Sequence, residues 1–213
     1  MPLLEVNNLV TGYGKKRTAE IVHGVTLSVD AGEFVCIIGA NGCGKTTTLK
    51  AAMGLLPTWS GEVLVNGRNL AEMAEQERAR HFAYIPQAHT PPFPFSVADV
   101  VLMGRTPYIN RMASVTDYDR AVAQRALELL GIQQLSEKAY TTLSGGQQQL
   151  VLIARALTQQ ADILVLDSVR YSCPSLSLPT SSGADAQLFW ARMLADMGYT
   201  GPNYVALRRW SSL

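Results

Sequence analysis

Nine consecutive residues, Gly39-Ala40-Asn41-Gly42-Cys43-Gly44-Lys45-Thr46-Thr47, carry the clearest chemistry in the chain. Glycines at this spacing let the backbone curl until successive N–H groups point inward, an arrangement that holds an anion. An apolar run, Phe34–Ile38, precedes the loop and a helical pattern follows from Lys45. The helix therefore adds the positive end of its dipole to the same place. Lys45 is set to reach the β- and γ-phosphates of a nucleotide, and the Thr46 hydroxyl to ligate Mg²⁺. The bland alternative, a glycine turn between a strand and a helix, needs a rare coincidence of residue types at ordinary glycine frequency.

Two further runs extend this chemistry. In Leu143-Ser144-Gly145-Gly146-Gln147, Ser144 sits where a helix N-cap belongs. Gln147, three residues on, completes a capping-box pattern. Gly145 and Gly146 leave the first N–H groups of that helix open to an anion. Downstream, the apolar run Ile163-Leu164-Val165-Leu166 ends in Asp167. Taken singly, a capped helix after a loop and an apolar strand ending in an acid are common. In this order, behind the glycine loop, they describe an ATP-handling motor domain.

The elements that must position these residues follow from periodicity. Residues 3–10 and 21–29 alternate apolar and polar, as half-buried strands do. Between them, Thr11 to Arg17 reads as a turn carrying Tyr13. Phe34–Ile38 has the continuous apolar character of a strand buried on both faces of a parallel sheet. A helix is expected over Lys45 to Met53, ended by Gly54 and Pro57. Val63–Val65 followed by Asn66-Gly67 predicts a strand entering a tight turn. Leu70 to Arg80 reads as helical, and Phe82–Ile85 as a strand running into Pro86-Gln87. Beyond the Pro91–Pro94 boundary the period is helical: Val97 to Met103, Asp117 to Leu130, and Ser144 to about Gln159. The pattern is an α/β core with a helical insertion.

Bulk composition narrows the function classes. The chain has 213 residues, 47% of them hydrophobic, with a net charge of +1. A near-neutral balance argues against a nucleic-acid face or a membrane-surface patch. Cys36, Cys43 and Cys173 follow no metal spacing and read as reduced thiols of a cytosolic protein. No apolar run reaches the roughly 18 to 20 residues of a membrane span, and the N-terminus lacks a signal-peptide pattern. Work at a membrane would therefore need a separate partner.

Residues 3–167 resemble the nucleotide-binding subunit of an ABC transporter, whose signature motif matches Leu143–Gln147. The resemblance implies a P-loop NTPase fold: a RecA-like core, an antiparallel β subdomain, and an inserted helical subdomain over about 91–160. It implies ATP and Mg²⁺ as cofactors, with Gly39, Asn41, Gly42, Gly44, Lys45, Thr46 and Thr47 around the phosphates. Tyr13 would stack on adenine, a surface-turn tyrosine being the alternative. Gln87 would touch Mg²⁺ and the transport partner, a solvated loop amide being the alternative. Asp167 would hold Mg²⁺ through water. The family pairs two copies head to tail, so that Ser144, Gly145, Gly146 and Gln147 face the Lys45 loop of the other copy. Two integral membrane permease subunits complete the assembly at the inner face of the cell membrane. The stretch Phe93–Arg105 is similar to importers of iron–siderophore complexes, haem or cobalamin; otherwise it is an ordinary amphipathic helix with a solvated Arg105. The implied function is ATP-driven import of such a compound.

After Asp167 the pattern breaks. The family places a glutamate there to polarise the attacking water, and this chain has Ser168. A serine cannot act as a base near neutral pH. The family's later histidine also has no counterpart, because His23, His81 and His89 all lie upstream. Residues 168–182 hold six serines and two prolines, and residues 168–213 contain no Lys, Glu or His. A helix-like stretch, Ala184 to Met197, and one apolar run, Tyr204–Leu207, are all that suggests structure there. We read 1–167 as the nucleotide-binding domain and 168–213 as a non-matching tail that leaves the C-terminal core incomplete. A shifted reading frame is the simplest cause, a divergent tail the other. Three activities follow: a hydrolysing transport subunit, a nucleotide-binding module without hydrolysis, or an inactive gene product.

Overall fold

The computed structural model describes residues 1–14, 17–33, 35, 37, 39–86, 94–109 and 113–167. Gln87, Phe93, Ser168 and the expected features of the tail lie outside the described residues.

Four strands form an antiparallel sheet: β1 (Leu4–Tyr13), β2 (Ala19–Val29), β3 (Ser60–Val65) and β4 (Arg68–Asn69), in the order β2-β1-β3-β4. Leu4 lies opposite Val29 on one side and Val65 on the other. The expected alternation holds, with Leu4 and Val6 buried. The expected turn at Thr11 to Arg17 is shorter than its composition suggests. β1 runs on to pair Gly12 with Glu20 and Tyr13 with Ala19. Ladder hydrogen bonds outweigh local turn propensity here, and a side chain at Gly12 would collide with the Ala19 carbonyl. Asn66 and Gly67, at φ 50° and 75°, make the anticipated turn between β3 and β4.

A second, parallel sheet pairs β5 (Phe82–Ile85) with β6 (Ile163–Leu166), Phe82 opposite Ile163 and Tyr84 opposite Val165. Strand alternation splits these residues between two cores. Ala83, Ile85, Leu164 and Leu166 face the helical region. Phe82, Tyr84, Ile163 and Val165 face the other way, toward α1 (Lys45–Ala52) and the antiparallel sheet. α1 is sandwiched between the sheets and buries Thr47, Thr48, Leu49, Ala51 and Ala52, as a helix covered on several sides must. It ends at Met53, and Gly54 at φ +71° turns the chain away.

Of the expected strand Phe34–Ile38, residues 34, 36 and 38 lie outside the described residues; Val35 and Ile37 are half-buried against the α1 core. One helix expectation needs correction. Leu70 to Arg80 is two pieces: a 3₁₀ turn at Leu70–Glu72, and α2 (Glu75–His81). Asn69 caps the first piece, and extended Met73 and Ala74 separate them.

The helical region holds α3 (Val97–Leu102), a 3₁₀ turn at Met103–Tyr108, α4 (Asp117–Leu129) and α5 (Gly145–Thr158). These bounds lie within a residue or two of the periodicity. Arg105 is 4% exposed, which sets aside the alternative of a solvated side chain. Its Nε donates to Asp119 Oδ1 at 2.8 Å, and its Nη1 to the Thr158 carbonyl and Gln160 Oε1. The guanidinium also lies 4.1 Å from the Tyr108 ring centroid. Gly104 permits this approach, since a side chain there would collide with the Arg155 carbonyl.

Asp119 serves twice. It receives Arg105 and it closes the capping box of α4 with Thr116. Hydrogen bonds from Thr116 and Arg105 lower its pKa to about 2. A carboxylate depressed on folding stabilises the protein above its unfolded pKa near 4 and loses that contribution as pH falls toward 2. Asp119→Asn is therefore expected to unfold at markedly lower denaturant at pH 7, breaking a buried pair that is worth about 3–5 kcal/mol when one partner is removed. The gap from wild type should narrow as pH falls from about 4 to about 2. Equal midpoints at pH 7 would show the pair to be inert.

Candidate nucleotide site

The glycine loop enters α1 in a conformation that only glycine adopts readily. Gly42 and Gly44 have φ of +80° and +91°. Gly44 is the N-cap of α1 and offers no side chain to its first N–H groups, which stay available to an anion. Lys45 Nζ donates to the carbonyls of Gly39 and Ala40, each at 2.6 Å, and lies 3.4 Å from Cys43 Sγ. No carboxylate pairs with it among the described residues, so its charge stays at the loop mouth. Asn41 is exposed beside it. Thr47 is buried, and the Tyr13 hydroxyl at the end of β1 is 3.4 Å from its Oγ1. Tyr13 remains 46% exposed, so its ring stands beside the loop with a face open.

Asp167 follows β6 and keeps its two-residue alternation. It therefore points to the side of Ile163 and Val165, where α1 begins. Its N–H extends the ladder to the Ile85 carbonyl at 2.9 Å. The residue as a whole is 7% exposed. Oδ1 accepts from the Thr46 hydroxyl at 3.0 Å, and Oδ2 accepts from the Tyr84 hydroxyl at 3.0 Å. A hydroxyl and a carboxylate this close, at the mouth of an anion loop, are hard oxygen donors that fit Mg²⁺.

Tyr84 is the residue that sequence reasoning missed. Burial, then the neighbouring Asp167 carboxylate, pushes its pKa up, so the phenol stays protonated and donates. A signal was present: alternation in Phe82–Ile85 puts Tyr84 on the face of Phe82, and pairing β5 with β6 puts that face beside Asp167.

Ser144 caps α5 as expected. Its Oγ accepts from Gln147 N at 3.4 Å, while Gln147 Oε1 accepts from Ser144 N at 3.1 Å. Gly145 is exposed with open space where a side chain would be. No hydrogen bond among the described residues joins Ser144–Gln147 to the glycine loop. The structure thus brings Tyr13, the loop, Tyr84 and Asp167 together and leaves the capped N-terminus of α5 as a separate exposed surface.

Comparison with known proteins gives the same motifs a family. The model of the family described as ABC transporter matches residues 22–169. An uncharacterized ABC transporter ATP-binding protein of Haemophilus influenzae is 42% identical over 165 residues, 78% of this chain and 62% of that protein. A cobalamin import ATP-binding protein of Halobacterium salinarum is 39% identical over 164 residues, 77% of this chain and 40% of that protein. An iron(3+)-hydroxamate import ATP-binding protein of Bacillus subtilis is 35% identical over 167 residues, 78% of this chain and 61% of that protein. The chain thus spans less than two thirds of these relatives' lengths. A solved transporter assigned to the metal-chelate type, in an inward-facing conformation, shares 27% identity at a TM-score of 0.71, over 98% of this chain and 73% of that one. The chain belongs to the ABC transporter family, with the P-loop ATP-binding fold of that family.

Proposed function

We propose that the chain is the ATP-binding subunit of an importer for a metal chelate such as an iron–siderophore complex, haem or cobalamin. The observation that carries this is the Thr46–Asp167 hydrogen bond, which joins the phosphate loop to the acid that follows β6. In this reading the backbone N–H groups at Gly42–Lys45 and the Lys45 ammonium bind the phosphates of ATP. Tyr13 stacks on the adenine, while Thr46, Gln87 and Asp167 hold Mg²⁺. When bound, the cation would offset the negative charge of the phosphates. The relatives named for cobalamin and iron(3+)-hydroxamate import support the substrate class.

The assembly is part of the proposal. The exposed Ser144–Gln147 cap makes no bond to its own loop, which supports its facing the loop of a second copy. No helix of the described residues is long and apolar enough to cross a membrane; the proposed partners are integral membrane permease subunits. A cavity of 580 Å³ lined by Met53, Leu55, Arg78, Tyr84, Met103 and Arg155 lies between the turn after α1, α2, the Met103–Tyr108 turn and α5. Leu55 and Met103, 60% and 40% exposed, line it and suit a protein partner. We place the subunit in the cytoplasm, against the membrane. The proposed organisation is a nucleotide-binding domain over 1–167, with its helical subdomain at about 91–160, and a non-matching tail; the end of the family match at residue 169 supports it.

Ser168 favours a second reading, a nucleotide-binding module that does not hydrolyse ATP. Lys45→Ala is expected to lower ATP affinity by about 100-fold, the loss of a charge-assisted contact. Unchanged affinity in a fluorescent-nucleotide titration overturns the site. Ser168→Glu is expected to leave phosphate release at background, because no histidine follows Asp167 in the chain. Robust turnover in that variant would show that the glutamate alone was missing. Sequencing the coding DNA past codon 167 decides the origin of the tail. Another frame encoding Glu-Pro-Thr, and later an apolar strand ending in His, makes it a frameshift product; its absence makes the tail genuine.

A further inference from the structure

We infer that Tyr84 is a positioning residue for the cation site, its hydroxyl holding Oδ2 of Asp167 so that Oδ1 faces the Thr46 hydroxyl. The inference rests on the nucleotide-site reading above and adds a residue to it.

A carboxylate next to a single backbone turns freely about its Cβ–Cγ bond, and its two oxygens are equivalent. Asp167 has lost both freedoms. Its backbone N–H is tied to the Ile85 carbonyl at 2.9 Å. Oδ2 takes the Tyr84 hydroxyl at 3.0 Å, and Oδ1 takes the Thr46 hydroxyl at 3.0 Å. The two donors come from different elements, β5 and α1, so the carboxylate plane is set from two sides. Register puts Tyr84 opposite Val165, two residues before Asp167, and the length of the phenol spans the remaining distance along the strand. The phenol is a neutral donor to Oδ2, so it orients the carboxylate. Groups that orient a metal-binding carboxylate from behind typically change metal affinity by 10- to 100-fold when removed.

Tyr84→Phe removes one oxygen and keeps the ring packed beside Phe82 and Val165, so the fold is retained; a cooperative thermal melt checks this. Binding of a fluorescent ATP analogue is then titrated with Mg²⁺, and separately in EDTA, for wild type and variant. The Mg²⁺ concentration for half-maximal binding is expected to rise about tenfold or more. Binding in EDTA should stay at the wild-type level, since Tyr84 touches the carboxylate and not the phosphate loop. In an Asp167→Asn background the same substitution should add nothing, because its effect passes through that carboxylate. An unchanged Mg²⁺ requirement overturns the inference, as does an equal loss with and without metal. An effect that persists in the Asp167→Asn background also overturns it. A wild-type chain without Mg²⁺-dependent nucleotide binding overturns the functional reading itself, and the inference with it.

Discussion

The candidate site depends on the two-residue alternation of β6. Ile163 and Val165 face α1, so Asp167 does too; a slip of one residue would send the acid into the helical core with Leu164 and Leu166. That register is held by burial on both faces of a two-strand ladder and by the Asp167 amide bonded to Ile85. Hydrophobic packing thereby fixes the direction of a charged group. The same alternation in β5 aims Tyr84 at the acid, and α1, wedged between the sheets, brings Thr46 to its other oxygen.

The two cores divide the labour. One cements α1 to the antiparallel sheet and to one face of β5 and β6. The other joins α3, α4 and α5 to the opposite face. The parallel ladder is thus shared, and any displacement of the helical region is felt by the strands that carry Tyr84 and Asp167. Arg105 stiffens that region from within. Its guanidinium ties the start of α4 to the end of α5 and is stacked on Tyr108.

What could be read from residues alone was what depends on near neighbours. The Gly39–Thr47 loop, the Asn66-Gly67 turn, and the Ser144–Gln147 box each lie within a few residues, and the structure places them as expected. β5 and β6 were legible because a short apolar run bounded by breakers has few alternatives. What stayed hidden mostly involves distant partners. Tyr13 belongs to a strand because Ala19 pairs with it, whatever the turn-like composition around it. Arg105 is buried because Asp119 and Thr158, 14 and 53 residues away, converge on it. Tyr84 joins the candidate site only once β5 is known to lie beside β6.

The bond between Thr46 and Asp167 closes a loop of 121 residues. Contacts of such separation form after local ones, since the chain must first give up the freedom of everything between. α1 packs on the antiparallel sheet near it in sequence, and α3 to α5 pack on one another, before both meet on β5 and β6. The acid reaches Thr46 when both halves are in place. During synthesis, where N-terminal segments fold first, the glycine loop therefore waits for Asp167, and the bond between Thr46 and Asp167 reports that the whole described core has assembled.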